Sequence, residues 1–231
     1  MKRFYKEVSI VESAEGWRVL LDGRAIKTVG GRAQVVPTQA LADALAQEWA
    51  AQGEEIDPTL FTYRDMTDYA LDMVALDPQE AIDALLPYAE TDTLCYRADP
   101  EEALFARQQE VWEPVLTAFE ARHGLRFERV CGIIHRAQPE ATLAALRQRL
   151  EAASAFDLAA LRNLSSLAAS LVIALAALEP DADLDTLWHA ASLEEEWQAD
   201  LWGRDWEAEE RREKRTAAFK ATAHFANLAR A

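Results

Sequence analysis

The sequence predicts an α+β fold: a small β-rich N-terminal domain with one helix, followed by a larger all-α helical bundle. Short β-branched and aromatic runs, separated by Asp22-Gly23 and Gly30-Gly31, occupy the stretch up to Pro37. After Pro37 the apolar period becomes helical and stays so almost to the C-terminus. Prolines at 58, 78, 100, 139 and 180 punctuate this second part near expected helix starts, where a missing N–H does no harm.

In chain order, "FYKEVSIVES" (4–13) alternates partially and reads as a strand. "GWRVLLDGRAIKTVGG" (16–31) gives a run, an Asp-Gly turn, a second run and a Gly-Gly turn. "AQVVP" (33–37) is a short further strand stopped by Pro37, which cannot donate to a ladder. These runs form an antiparallel meander. Thr38 is the expected N-cap of a helix running to about Gln52, with Gly53 beyond its end. Further helices are expected near 62–76, 78–90, 101–123, 139–153, 156–178, 183–202 and 206–230. "RFERVCGII" (126–134) is the one later stretch with strand character and a candidate addition to the N-terminal sheet. The expected boundary lies near residue 60, giving domains 1–60 and 61–231.

Composition narrows the function. The chain has 231 residues, half of them hydrophobic, enough for a sizeable core. Its formal net charge of -16 repels phosphate backbones and anionic lipid surfaces, so nucleic acid and membrane surfaces are not expected partners. Two isolated cysteines, Cys95 and Cys131, make no disulfide framework and fit a reducing compartment. The most apolar stretch, "SSLAASLVIALAAL", is too short to span a bilayer, and the N-terminus has neither signal-peptide nor transit character. A cytoplasmic, monomeric protein without cofactor or metal is expected.

"SLEEEWQADLWGRDWE" (192–207) sets clustered carboxylates among Trp197, Trp202 and Trp206. On a helix of about 100° per residue, Leu184, Leu187, Trp188 and Ala191 form an apolar stripe. That stripe continues through Glu195, Gln198 and Trp202, while Glu194 is the adjacent acid and Glu196 faces away. The helix after Thr38 repeats the pattern: Glu48 and Gln52 lie on its apolar stripe with Trp49 at the edge. A carboxylate on an inward stripe needs a partner. Three readings stay open. Each Glu meets an internal Arg, a backbone N–H or a helix N-terminus; or the acids run metal or acid/base chemistry; or they line a groove that another protein fills. Gln is a poor metal ligand and the four histidines show no ligand spacing, which weighs against the second. No phosphate-cradling loop, nucleophile elbow or HExxH is present. Cys95 sits among apolar neighbours, as a buried inert thiol would. Residues 179–210 hold twelve acids and one Arg, whereas 211–231 hold six basic residues and one acid. This is either a solvated acidic face with a basic tail or an acidic surface that steers a basic partner.

The ordered set "RFYK", "LDGR", "KT", "VPT..LA.ALA.EW..Q", "IDP", "YAETDTLCYR", "WEPV" and "SLEEEWQADLWG" resembles one family, the assembly chaperones of F-type ATP synthase that attend the alpha subunit of the catalytic head. The match runs from Arg3 to about Gly203. The resemblance implies a non-enzymatic chaperone that binds free alpha subunits, with a small α/β N-terminal domain and an orthogonal helical bundle. The family occurs in mitochondria and in some bacteria, and a bacterial cytoplasmic member is expected here. The family's motifs carry over to Glu48, Trp49 and Gln52, and to Glu195, Gln198, Trp202 and Gly203; with Glu194, these side chains are the expected partner-binding set, Glu195 foremost. Two departures stand out. Val29 replaces the family's Pro after "KT", and Phe61, Thr62, Tyr63 and Arg64 replace a Met-Pro-Leu-Thr-like run.

Overall fold

The structure is a computed structural model that describes residues 1–132, 135–203 and 205–231. It is α+β, with a small sheet at the N-terminus and helices through most of the rest. Strands β1 (Val8–Ser13), β2 (Gly16–Leu21) and β3 (Arg24–Ala25) form an antiparallel sheet in that order, with Val8 opposite Leu21 and Leu21 opposite Arg24. The second turn is the expected Asp22-Gly23, where both residues take positive φ. Asp22 also accepts from the N–H groups of Lys6 and Glu7, which holds its carboxyl below the usual range.

The strand expected at 33–37 reduces to bridges. Trp17 and Val36 exchange both backbone bonds, and Lys27 bridges Ala33. Two acids one helical turn apart clamp the intervening turn. Asp72 accepts from Thr28 Oγ1, Gly30 N–H and Arg32, while Asp68 accepts from Val29 N–H and Gln34. A Cβ on Gly30 would meet the Asp72 carboxylate at 2.6 Å, so a larger residue there would push that side chain off its hydrogen bonds. Val29 donates a hydrogen bond that a proline there could not make.

Helix α1 (Gln39–Ala50) starts as expected, with Thr38 Oγ1 accepting from Leu41 N–H. Helix α2 (Thr62–Tyr69) passes into a π-helical turn at Ala70–Val74. The helix expected over 78–90 is two, α3 (Pro78–Leu85) and α4 (Pro87–Glu90), because Pro87 has no N–H to continue the ladder. Helix α5 (Ala103–His123) runs through Pro114 and stops at Gly124 in the left-handed region. Helix α6 (Glu140–Glu151) follows.

The helix expected over 156–178 also divides, into α7 (Ala155–Ala168) and α8 (Leu171–Ala177). The break is at Ala169, φ 49, a conformation that costs about 1–2 kcal/mol without glycine. Its surroundings hold it there. Thr93 donates from N–H and Oγ1 to the Ala169 carbonyl, Ser170 caps Ile173 N–H, and buried Asp92 accepts from Val172 and Leu94 N–H. Helices α9 (Leu184–Trp202) and α10 (Trp206–Arg230) complete the chain. The late strand, β5 (Val130–Cys131), does not join the N-terminal sheet. It pairs in parallel with β4 (Tyr96–Arg97), the strand following the Asp92 turn. Ile133 and Ile134, the end of the expected strand, lie outside the described residues.

Packing divides the chain into two units. One holds residues 1–81, 153–160 and 221–231; the other holds 82–152 and 161–220. The first centres on Leu41, Leu45, Trp49, Phe61 and Phe225, and the second on Trp112, Leu116, Leu146, Leu164 and Phe219. No helix among the described residues is long and apolar enough to cross a membrane.

Burial pushes the Asp92 carboxyl up to about 6, against the hydrogen bonds that favour its charged form. Folding therefore takes up a proton at Asp92, and its contribution to stability is lost as pH rises through 6. Urea unfolding at pH 7 and pH 5 should show wild type gaining about 1 kcal/mol relative to Asp92→Asn on acidification. A pH-independent difference would show that Asp92 does not titrate in this range.

Candidate functional site

The two sets of side chains singled out in the sequence fall in different units. In the first, Glu48 projects from the last turn of α1 to the start of α2. Its two carboxylate oxygens accept from Tyr63 N–H at 2.6 Å and Arg64 N–H at 2.9 Å. These N–H groups have no intrahelical acceptor, and the helix dipole favours an anion there. Burial raises the Glu48 carboxyl, and the same N–H groups oppose that rise. Gln52 is buried. Its side-chain oxygen accepts from Asp57 N–H at 2.7 Å and its amide reaches the Glu48 carbonyl. Trp49 is buried between Tyr5 and Phe61, with ring centroids 5.6 and 4.6 Å away. Phe61 and Tyr63, from the departing run, thus serve as a core ring and a capped helix start; Tyr63 also stacks on Phe225.

In the second unit, α9 and α10 form a helical hairpin about Gly203, whose φ of 95° and ψ of 158° suit glycine alone. The buried face of α9 comprises Leu187, Trp188, Ala190, Ser192 and Leu193. Beyond Leu193 every residue to Trp202 is exposed or half-buried. Glu195 was placed on the inward stripe by helical projection, but it is exposed. The stripe has no core to enter once burial ends. The three consecutive glutamates point three ways. Glu194 accepts from Gln108, whose own oxygen accepts from Ala98 N–H. Glu196 accepts from Ser192 Oγ and pairs with His189. Both oxygens of Glu195 meet Arg215 Nη1, at 2.6 and 2.8 Å.

Arg215 also donates to the Leu167 carbonyl at 2.9 Å and lies over the Trp188 ring. Glu195, Gln198 and Trp202 line one wall of a cavity of about 450 Å³; Ala208, Glu209, Arg211, Arg212 and Arg215 of α10 line the facing wall, where Arg211 pairs with Glu207 and Arg212 with Glu209. At the hairpin end Trp202 is 87% exposed, Trp206 71% and Leu201 61%. The sequence reading missed Leu201 and the arginine wall. The signal was present: 211, 212 and 215 share one face of a helix. The acidic run is also less bare than its sequence, since Lys220 pairs with Asp185 and Lys214 with Glu210.

Neither set has the makings of a metal or nucleophilic site. Among the described residues no three His, Cys, Asp or Glu side chains are placed to hold a metal ion. Cys95 is fully buried, and its thiol is pushed well above the usual range.

A family model described as ATP12 chaperone protein matches residues 2–120, just over half of the chain. The chain belongs to the ATP12 chaperone family. The structure also superposes on crystal structures of Atp12 from Paracoccus denitrificans (35% identical, TM-score 0.93, covering 99% of this chain and 98% of that one) and of Atu1473 from Agrobacterium tumefaciens, named as a candidate chaperone (38% identical, TM-score 0.91, 99% and 85%). A mitochondrial atp12 protein of Schizosaccharomyces pombe is 24% identical over 214 residues, 87% of this chain and 74% of that protein. The ATP12 family comprises chaperones of ATP synthase assembly, not enzymes, and the chain is a bacterial-type member. In this ATP12-family chain, the acids of α1 and α9 are therefore structural or partner-binding groups.

Glu48→Gln removes the charge and one of the two acceptors at the start of α2. Urea denaturation should show a loss of about 1 kcal/mol, and an unchanged midpoint would reject the capping role.

Proposed function

We propose that the chain binds the unassembled alpha subunit of F-type ATP synthase through the exposed end of the α9–α10 hairpin and keeps it from aggregating before the catalytic head assembles. The carrying observation is the exposure of Trp202, Trp206 and Leu201 at one helical turn-around. Indole in water is costly, and solvent-facing aromatics ringed by fixed charges are what binding hot spots consist of. Glu195, Gln198 and the arginine wall flank them, so basic and acidic groups of a client find partners and a register. Glu194 belongs to the same helix but is turned to Gln108. In the first unit, Glu48 and Gln52 are engaged internally and Trp49 is packed as core, so the proposed contact centres on the hairpin.

An unassembled alpha subunit exposes apolar surface that its beta neighbour later covers. A monomeric chaperone in the cytoplasm need only shield that patch, on the order of 1,000 Å². Beta competing for the same surface displaces it, and no nucleotide is consumed.

Purified alpha subunit, held at a concentration where it aggregates, gives the test. Wild type should suppress light scattering at equimolar ratio. Trp202→Ala/Trp206→Ala should bind about tenfold or more weakly with an unchanged melting temperature. Glu195→Gln should weaken binding to a smaller degree, since it releases Arg215 without removing apolar contact. Full protection by the double tryptophan variant would move the contact surface away from the hairpin, and failure of wild type to bind alpha would overturn the reading itself.

A further inference from the structure

The first unit holds a second cavity, of about 560 Å³, whose lining includes neither Glu48 nor the acids of α9. One wall is the extended segment Phe4–Tyr5, and another is residues 24–27, which include the edge strand β3. Leu21 and Trp49 form its buried floor. Three features distinguish it from an ordinary surface depression. Phe4 stands 63% exposed on the rim, held edge-on to Tyr5. The outer edge of the two-residue β3 has no strand partner among the described residues, so it is open to pairing as far as Lys27, which bridges Ala33. The indole N–H of Trp49 is buried with no acceptor among the described residues.

Charge indicates what fits. The chain as a whole is strongly acidic, yet this lining carries Arg24, Lys27 and Arg64 against a single carboxylate, Asp22. That carboxylate is already engaged by two backbone N–H groups. Arg64 is held by Asp65 and Asp68, but Arg24 and Lys27 are exposed and make no ion pair with a described residue.

We propose that this cavity docks an acidic, apolar-anchored segment of a partner polypeptide, an extended stretch in which a carboxylate neighbours an aromatic or aliphatic side chain. The apolar side chain packs between Phe4 and the Leu21–Trp49 floor. The carboxylate lies between Arg24 and Lys27, and the segment's backbone pairs along the free edge of β3, the usual route of strand addition. The inference stands apart from the hairpin reading, because the two use different residues.

The test follows the tryptophan indole signals of the full ¹⁵N-labelled chain by NMR, with Trp49 assigned by its loss in Trp49→Phe. The probe is the capped peptide acetyl-Glu-Leu-Asp-Phe-Glu-amide. Saturable movement of the Trp49 signal is expected, with those of Trp202 and Trp206 unmoved. The isosteric Gln-Leu-Asn-Phe-Gln peptide should bind about tenfold or more weakly, as should the acidic peptide to Arg24→Glu/Lys27→Glu. Both substituted positions are exposed, so an unchanged melting temperature is expected. Equal binding of the neutral peptide, or indifference to charge reversal, would overturn the proposal. So would saturation of the Trp49 signal by phenylacetate but not by the peptide, which would make the site one for a small organic acid.

Discussion

The C-terminal hairpin depends on the Arg215 guanidinium. One edge of it closes on both oxygens of Glu195, another donates to the Leu167 carbonyl, and its face lies 5.5 Å from the centre of the Trp188 ring. Leu167 is in the last turn of α7, where carbonyls lack intrahelical donors and the dipole favours a cation. A single exposed ion pair contributes about 1 kcal/mol or less, because solvent screens it and two long side chains lose freedom. Here one side chain meets a carboxylate, a helix end and an aromatic face together, and the planar fork of arginine is the group that can do so. The last turns of α9 have almost no buried residues of their own. The buried Trp188–Phe219 ring pair sets α10 against α9 at its base, and this contact holds the two helices together toward the tip, where Trp202 and Trp206 emerge.

A second constraint recurs through the fold: helix starts favour anions, and this acidic chain supplies them both from a distance and locally. Glu48 caps α2, Asp92 serves the start of α8, and Asp183 caps its own helix, α9. The first two are the kind of inward carboxylate that a search for catalytic acids picks out. Their oxygens are occupied by backbone N–H groups, so they rigidify a junction and leave nothing for a substrate. That separates the acids into those spent on folding and those near the hairpin end, where Glu195 is half-exposed and shares its arginine with solvent.

Legibility in the sequence followed how local each cause was. Asp22-Gly23, the Thr38 cap and the extent of α10 depend on a few adjacent residues, and all were readable. The break at Ala169 was not, because alanine gives no warning of a positive φ that Thr93, Asp92 and Ser170 impose from outside. The β4–β5 pair joins residues more than thirty positions apart, so strand character at 126–134 was visible but its partner was not. For the candidate site, the tryptophans and glutamates were visible as residue types. Their exposure was not, since projecting a stripe assumes a core along its whole length. Glu195 and Arg215 are twenty positions apart on two helices, beyond what one helical wheel can relate.

The size of the hairpin end bears on how such a chaperone lets go. Two indoles bury about 150–250 Å² each on full contact, so with a leucine the tip offers roughly 500 Å². At about 25 cal/mol per Å² that is a gross gain of about 12 kcal/mol. Association alone costs an estimated 4–15 kcal/mol in lost translation and rotation. The apolar tip therefore brings a client near break-even, and net affinity is left to the charged flank and whatever further contact the client makes. A surface so balanced holds a client that has no better partner and yields it to one that covers a larger area. On the proposed reading, competition by the neighbouring subunit is then sufficient for release, and the fold needs no energy-consuming step to supply it.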